Sequence, residues 1–231
     1  MELDLSRVDL IRESSKDDLL NPLYLEKLIC MLGFNREVLV EQPQVVKNNG
    51  GGLLIWQYPN QFSKYLLVLQ KLNIESYLEI GCRWGGTFIL TAEYLKRFNT
   101  VKKTVAVDRI DSPVASYCAL NRESQFIQLS SDSYDFKDFM RDNRFDLIFI
   151  DGDHSYEGVT NDYKLCRDLG KIYVFHDIVN VMCPGVVQFW NELKANESGR
   201  FTFYEFTEQY EDVYRDTGGR TFLGIGLAIR R

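Results

Sequence analysis

Only two histidines occur among the 231 residues, no Cys-x-x-Cys pair is present, and neither a basic run nor a long apolar stretch interrupts the chain. Each absence narrows the possible functions. With no clustered lysine or arginine and a formal net charge of −6, the chain reads as having no nucleic-acid partner, because neutralising phosphates needs concentrated positive charge. No apolar run approaches the roughly 20 residues that cross a bilayer, so no membrane partner is expected. The start Met1-Glu-Leu-Asp-Leu-Ser-Arg7 lacks the cationic and apolar regions of a signal peptide. The five cysteines (Cys30, Cys82, Cys118, Cys166 and Cys183) are odd in number and widely spaced. That argues against a disulfide framework or structural zinc site and for a reducing, cytoplasmic setting with buried free thiols.

What is present is an alternation of strand-like and helix-like segments. Short apolar runs at Tyr77–Ile80, Thr104–Val107, Phe126–Leu129, Leu147–Ile150 and Ile172–Phe175 read as buried strands. The amphipathic stretches between them are long enough for crossover helices, which requires a mainly parallel sheet. Ser155 reads as a helix N-cap, with Val159, Tyr163 and Cys166 on one face and Gly170 as the stop. Pro184 opens another helix, with Val186, Trp190 and Leu193 facing inward. The β-rich runs Phe201–Phe206 and Thr221–Ile229, joined by the polar segment 207–219, read as a closing antiparallel hairpin with no helical period between them.

Ahead of this pattern, residues 1–20 are charged and weakly patterned. Asn21-Pro22 marks a helix start and Gly33 its stop. Asn48-Asn-Gly-Gly-Gly52 reads as a loop or hinge, so residues 1–52 are expected to form an N-terminal helical extension on a main domain of residues 53–231. Pro59 then opens a helix with Phe62, Tyr65, Leu66 and Leu69 at core spacing.

Both histidines close strands beside an aspartate, in Ile150-Asp151-Gly-Asp153-His154 and Val174-Phe-His176-Asp177. In an open α/β sheet ligands bind beyond the carboxyl ends of the strands, so two neighbouring strands would bring these groups to one rim. The first strand leads into Glu79-Ile-Gly81-Cys-Arg83-Trp-Gly85-Gly86. A dinucleotide fingerprint needs its second glycine where Arg83 stands, and Glu79 would repel a pyrophosphate. The sulfonium and amino acid of S-adenosylmethionine suit such a loop better. Asp108 ends the second strand, 108 − 81 = 27 residues after Gly81, where an acid holds ribose hydroxyls or simply caps a helix. Ser131 and Asp132, after the third strand, are candidates for the adenine end, although Ser-Asp-Ser also starts helices.

Taken together, Glu79-Ile-Gly81-x-x-x-Gly85, Asp108 and Phe145-Asp-Leu-Ile-Phe-Ile-Asp151 resemble the successive motifs of class I S-adenosylmethionine-dependent methyltransferases. Ile150-Asp-Gly-Asp-His-Ser-Tyr-Glu-Gly158, Phe175-His-Asp-Ile178 and Gly185-Val-Val-Gln-Phe-Trp190 narrow the resemblance to the branch of cephalosporin-hydroxylase-type proteins and macrolide sugar O-methyltransferases. It covers about residues 53–231. The resemblance implies a Rossmann-like class I methyltransferase fold: α/β, a seven-stranded mainly parallel sheet with a C-terminal antiparallel hairpin, and helices on both faces. It further implies S-adenosylmethionine as cofactor, a divalent cation near the methyl group, and a small hydroxylated acceptor such as a sugar, glycan unit or natural product. By the same resemblance Glu79, Gly81, Arg83, Gly85, Asp108, Ser131, Asp132 and Asp151 bind cofactor. Asp151, His176 and Asp177 hold the metal, and His154 is the general base. Relatives of this kind carry Glu-Asp where this chain has His176-Asp177. Magnesium prefers hard oxygen ligands, so an imidazole there favours manganese, iron or zinc, or no metal.

Asp153 reads as orienting an imidazole or capping the helix from Ser155. Trp56 and Gln57 read as covering the cofactor or packing an N-terminal strand, and the Tyr204–Tyr214 segment as a homo-oligomer contact or a substrate lid. Two other functions compete with catalysis of methyl transfer: a non-catalytic S-adenosylmethionine-binding module, and a nicotinamide-dependent oxidoreductase. The second is opposed by Arg83 and by the terminal hairpin.

Overall fold

The computed structural model describes residues 2–37 and 39–231. The chain begins with short helices α1 (Val8–Glu13), α2 (Lys16–Leu20), α3 (Pro22–Leu32), α4 (Gln44–Lys47) and α5 (Pro59–Leu69). Then follow β1 (Ser76–Ile80), α6 (Gly86–Phe98), β2 (Lys103–Asp108), α7 (Val114–Leu120), β3 (Ser124–Gln128), α8 (Tyr134–Arg141) and β4 (Phe145–Ile150). The remainder is α9 (Tyr156–Cys166), β5 (Gly170–His176), α10 (Pro184–Glu197), β6 (Phe201–Phe206), α11 (Glu211–Asp216) and β7 (Ile225–Arg230).

Among the described residues the strands form one seven-stranded sheet, ordered β3-β2-β1-β4-β5-β7-β6. Strands β1 to β5 pair in parallel, whereas β7 runs antiparallel to both β5 and β6. The order reverses between β1 and β4, and this switch point opens the crevice where such sheets bind ligands. The period-2 alternation of each strand supplies two cores. Tyr77, Ala106, Leu147, Phe149, Val174 and Leu227 face α5, α6 and α7, while Leu78, Val105, Ile148, Tyr173, Phe175 and Ala228 face α8, α9 and α10.

The N-terminal helices lie on the first of these faces. Val8, Ile11, Leu19, Leu25, Leu28 and Leu32 join the core that holds Phe62, Phe88 and Phe149. Residues 2–20 thus carry, after a 3-10 turn at Leu5–Arg7, two α-helices that the weak pattern did not suggest. Each is six residues or fewer, too short to display a period, and α2 starts because the Ser15 side chain accepts from the Asp18 amide. Asn21 caps α3 as expected, accepting from the amides of Leu23 and Tyr24. The glycine-rich stretch is tied back by Phe34–Gly50 bridging and by Leu53 N–H donating to Leu32 at 2.8 Å.

Two expectations for the carboxyl end need correction. The 207–219 connection contains α11, whose two turns bury only Val213 and so leave no visible period. The last strand begins at Ile225 rather than Thr221, because Leu223 and Gly224 take positive φ (57° and 97°) and break the extended run. Phe222 and Leu223 instead close a small cluster with Tyr58 and Val213. No helix among the described residues is long and apolar enough to cross a membrane.

Candidate active site

The site grows from the ends of β1, β4 and β5. Gly81 leaves β1 at φ +86°, and a Cβ there would lie 2.1 Å from the Asp151 carbonyl oxygen, so only glycine lets the two strand ends touch. A Cβ on Gly86 would meet Leu53 O at 2.3 Å and Ile55 N at 2.7 Å, which allows the N-terminal segment to cross the start of α6. Between them Arg83 holds positive φ (45°) without being glycine. Its amide donates to Asp108 Oδ2 at 2.7 Å, and its guanidinium lies 4.7 Å from the Trp56 ring. The second dinucleotide glycine is thus replaced by a residue that ties the loop to the ribose candidate Asp108 and to Trp56.

Glu79 stands apart from this rim. It is buried beneath the loop and accepts a hydrogen bond from the Tyr77 hydroxyl; burial pushes its carboxyl up to about 8. Burial thus favours its protonated form, while Asp108 and Asp151 stand at the rim. Half-buried Ser131 and exposed Asp132 lie on the β3–α8 loop, where Ser133 caps α8 by accepting from the Phe136 amide at 3.1 Å.

The histidines do converge. Asp151, His154, His176 and Asp177 offer ligand atoms within 4.8 Å of one another. His154 Nε2 is 3.1 Å from Asp151 Oδ1 and 3.4 Å from Asp177 Oδ2; His176 Nδ1 is 3.0 Å and 3.4 Å from the same two atoms. Successive residues on a strand point to opposite faces, so His176 and Asp177 could not meet one partner if β5 simply continued. Asp177 takes a left-handed turn (φ 63°), which folds its carboxylate back toward His176.

The electrostatics follow from this crowding. His154 loses some hydration, but its hydrogen bond to Asp151, together with Cys183 and the charge of Asp177, lifts it to about 10. Its ring is 42% exposed, and solvent there screens part of the pull. Buried His176 is raised well above the ordinary imidazole range, because the charges of Asp151 and Asp177 outweigh its desolvation. Both aspartates are correspondingly lowered against the effect of burial. His176 is only 4% exposed, and although Asp151 lies 3.0 Å away, neither ring nitrogen has a well-directed hydrogen bond. A buried imidazole aimed into two carboxylates without a directed bond is a donor set that fits a cation.

Asp153 bonds neither imidazole: its carboxylate accepts at 2.9 Å from the amide of Ser155, the residue that caps α9 by accepting from the Gly158 amide. Sequence reasoning missed Asn180 and Cys183. Asn180 is buried and donates to Asp177 Oδ1 at 2.8 Å, and Cys183 Sγ lies 3.3 Å from Asp177 Oδ2. The only signal for either was its place in the turn between β5 and α10. Cys82, Cys118 and Cys166 are buried as expected, whereas Cys30 and Cys183 are partly exposed. Gln57 is buried, its side-chain oxygen accepting from the Tyr58 amide. In the Tyr204–Tyr214 segment, Tyr210 donates to Glu26 at 2.9 Å and meets Tyr58 edge-on, so that ring is engaged within its own chain.

A family described as a methyltransferase domain matches residues 78–178, which run from β1 through the turn after Asp177. Comparison with curated proteins finds no match. Among solved structures, the chain resembles the O-methyltransferase TomG from Streptomyces achromogenes, involved in tomaymycin synthesis and solved with S-adenosylmethionine. Identity is 16%, over 77% of this chain and 82% of that one, with a TM-score of 0.54. It also resembles the O-methyltransferase from Bacillus cereus solved with S-adenosylhomocysteine, at 14% identity over 94% and 92% of the two chains and a TM-score of 0.53. At such identities the likeness is one of fold. Residues 78–178 thus match a methyltransferase domain, set in the fold these two methyltransferases share.

Proposed function

We propose that the protein transfers the methyl group of S-adenosylmethionine to a hydroxyl of a small acceptor, a sugar, glycan unit or natural product, with His154 as general base. The observation that carries this reading is the convergence of Asp151, His154, His176 and Asp177 beside the glycine loop. The sulfonium is already activated, so the protein has to align the acceptor oxygen with the methyl carbon and remove the hydroxyl proton. Exposed His154 is the imidazole that an acceptor can reach, whereas His176 lies behind it. As the oxygen–carbon bond forms and the carbon–sulfur bond breaks, the proton passes to His154, and S-adenosylhomocysteine leaves.

Asp151, His176 and Asp177 would hold a divalent cation, with Asn180 fixing the Asp177 carboxylate through its amide. Such a cation would supply Lewis acidity toward the hydroxyl and offset the carboxylates' hold on the His154 proton. Asp108 would bind the ribose, and Ser131 and Asp132 would lie at the adenine end. An open groove of about 550 Å³, lined by Val179, Asn180, Val181, Pro184, Val187, Gln188 and Thr221, borders the turn after Asp177 and supports an acceptor of small-molecule size.

The test is transfer of labelled methyl from S-adenosylmethionine to a panel of hydroxylated acceptors, by wild type and His154→Ala. Loss of a general base predicts a fall in kcat of about 10²–10⁴-fold, with the dissociation constant for S-adenosylmethionine unchanged. Near-normal turnover by the variant would remove His154 from this role.

A further inference from the structure

The groove between the turn after β5 and the start of α10 is built almost wholly of hydrocarbon. Val179, Val181, Pro184 and Val187 line it, and no aromatic ring among the described residues does. Val181 and its neighbour Met182 stand 46% and 69% exposed although both are apolar. The three polar side chains of the lining are already engaged within the chain. Asn180 donates to Asp177 Oδ1 at 2.8 Å and accepts from the Met182 amide at 3.0 Å. The Thr221 hydroxyl donates to the Val179 carbonyl at 2.7 Å, and the Gln188 amide donates to Glu192 at 2.9 Å. A hydroxyl-rich ligand would find few partners there, and each hydroxyl left unpaired would weaken its binding. The groove also reaches the reacting groups. Asn180 at its head holds the Asp177 carboxylate, and Gly185, next to Pro184, packs on the backbone of the base. A Cβ on Gly185 would lie 2.9 Å from the His154 carbonyl oxygen.

We propose that the groove holds an aliphatic body of the acceptor beside the hydroxyl that is methylated, and so selects an alkyl or alicyclic alcohol or glycoside over a free sugar or glycan unit. This rests on the reading that methyl transfer takes place at His154. An aliphatic body displaces water from the valines and asks for no hydrogen bond, whereas a free sugar gives up hydration that the groove does not replace. Without an aromatic ring the groove gains from packed methylene groups and not from stacking, so affinity grows with the length of chain laid along it.

The experiment is an NMR titration of the full chain, saturated with S-adenosylhomocysteine, with glucose and with methyl-, butyl- and hexyl-β-glucoside. Transfer of labelled methyl to the same compounds is measured beside it, on wild type, Val187→Asp, Val181→Asp and Val187→Leu. Wild-type affinity should rise about twofold per methylene, half the free-energy gain of full burial because one side of an open groove stays wet. The rise from methyl to hexyl is then roughly 30-fold, with kcat/KM in the same order and glucose weakest. Both aspartate variants should flatten the series to within about threefold, while Val187→Leu keeps the slope. Their Tm should stay close to that of wild type, since both positions reach solvent. A flat series in wild type, or a slope that both aspartate variants retain, would overturn the inference alone. Methyl transfer by wild type to no hydroxylated acceptor of any kind would overturn the reading beneath it as well.

Discussion

The four charged groups at the rim are two imidazoles and two carboxylates, and each pair holds the other in its ionised form. Asp151 and Asp177 keep His154 near pKa 10 and His176 higher than usual, while the imidazoles lower both aspartates. A raised histidine stabilises the fold fully below its unfolded value near 6.5 and loses that contribution as pH climbs through its folded value. The lowered aspartates act in the other direction, contributing above about 3.8 and losing it as pH falls. In chelator, the urea midpoint of wild type should therefore decline between pH 6.5 and 10 more steeply than that of His176→Asn. Parallel curves would show that the cluster is not charged as described. The same hold on the proton shapes activity. Chelated enzyme should gain kcat/KM as pH rises toward 10, and added manganese should move that rise to lower pH. A profile that divalent cations leave unmoved would argue against metal at Asp151, His176 and Asp177.

At the scale of single elements, turns bring this cluster together. Gly81 lets the end of β1 press against the Asp151 carbonyl, and the left-handed Asp177 redirects the end of β5. Gly81→Ala would impose both a positive-φ strain and a backbone clash, so a loss of at least about 2 kcal/mol in stability is expected from urea unfolding, together with weaker S-adenosylhomocysteine binding. The strands, their parallel order and the convergence of both histidines were legible in the sequence, because buried parallel strands read as apolar runs and their ends carry the polar residues. The short elements were not. Helices α1, α2 and α11 bury too few residues to impose a period, and the roles of Asn180 and Cys183 depend on a turn whose sign no composition reveals. The depth of Glu79 was not legible either: its position in the alternation turns it beneath the loop, toward Tyr77.

Across the whole molecule, the N-terminal segment and the sheet share one core rather than meeting at a thin interface. Leu28 and Leu32 pack in the same cluster as Phe62 and Phe149, and Arg12 bonds to buried Glu93 at 2.9 Å. We therefore expect residues 1–52 to unfold with the methyltransferase domain and not ahead of it. Leu28→Ala should cost about 2–5 kcal/mol and lower a single thermal transition. Two separate transitions, with only the first shifted, would mark the segment as an independent unit. A segment so anchored gives the Leu53–Ile55 crossing a fixed position over Gly86, and with it the wall of Trp56 that Arg83 stacks against.

The claim at the centre is that methyl transfer takes place where the ends of β1, β4 and β5 meet. Anomalous diffraction from a crystal grown with manganese and S-adenosylhomocysteine tests it most directly. A single metal peak is expected, held by Asp151, His176 and Asp177, with the cofactor ribose on Asp108 and its sulfur facing His154. A cofactor seated elsewhere, or a sulfur turned away from His154 with no metal at the cluster, would contradict it.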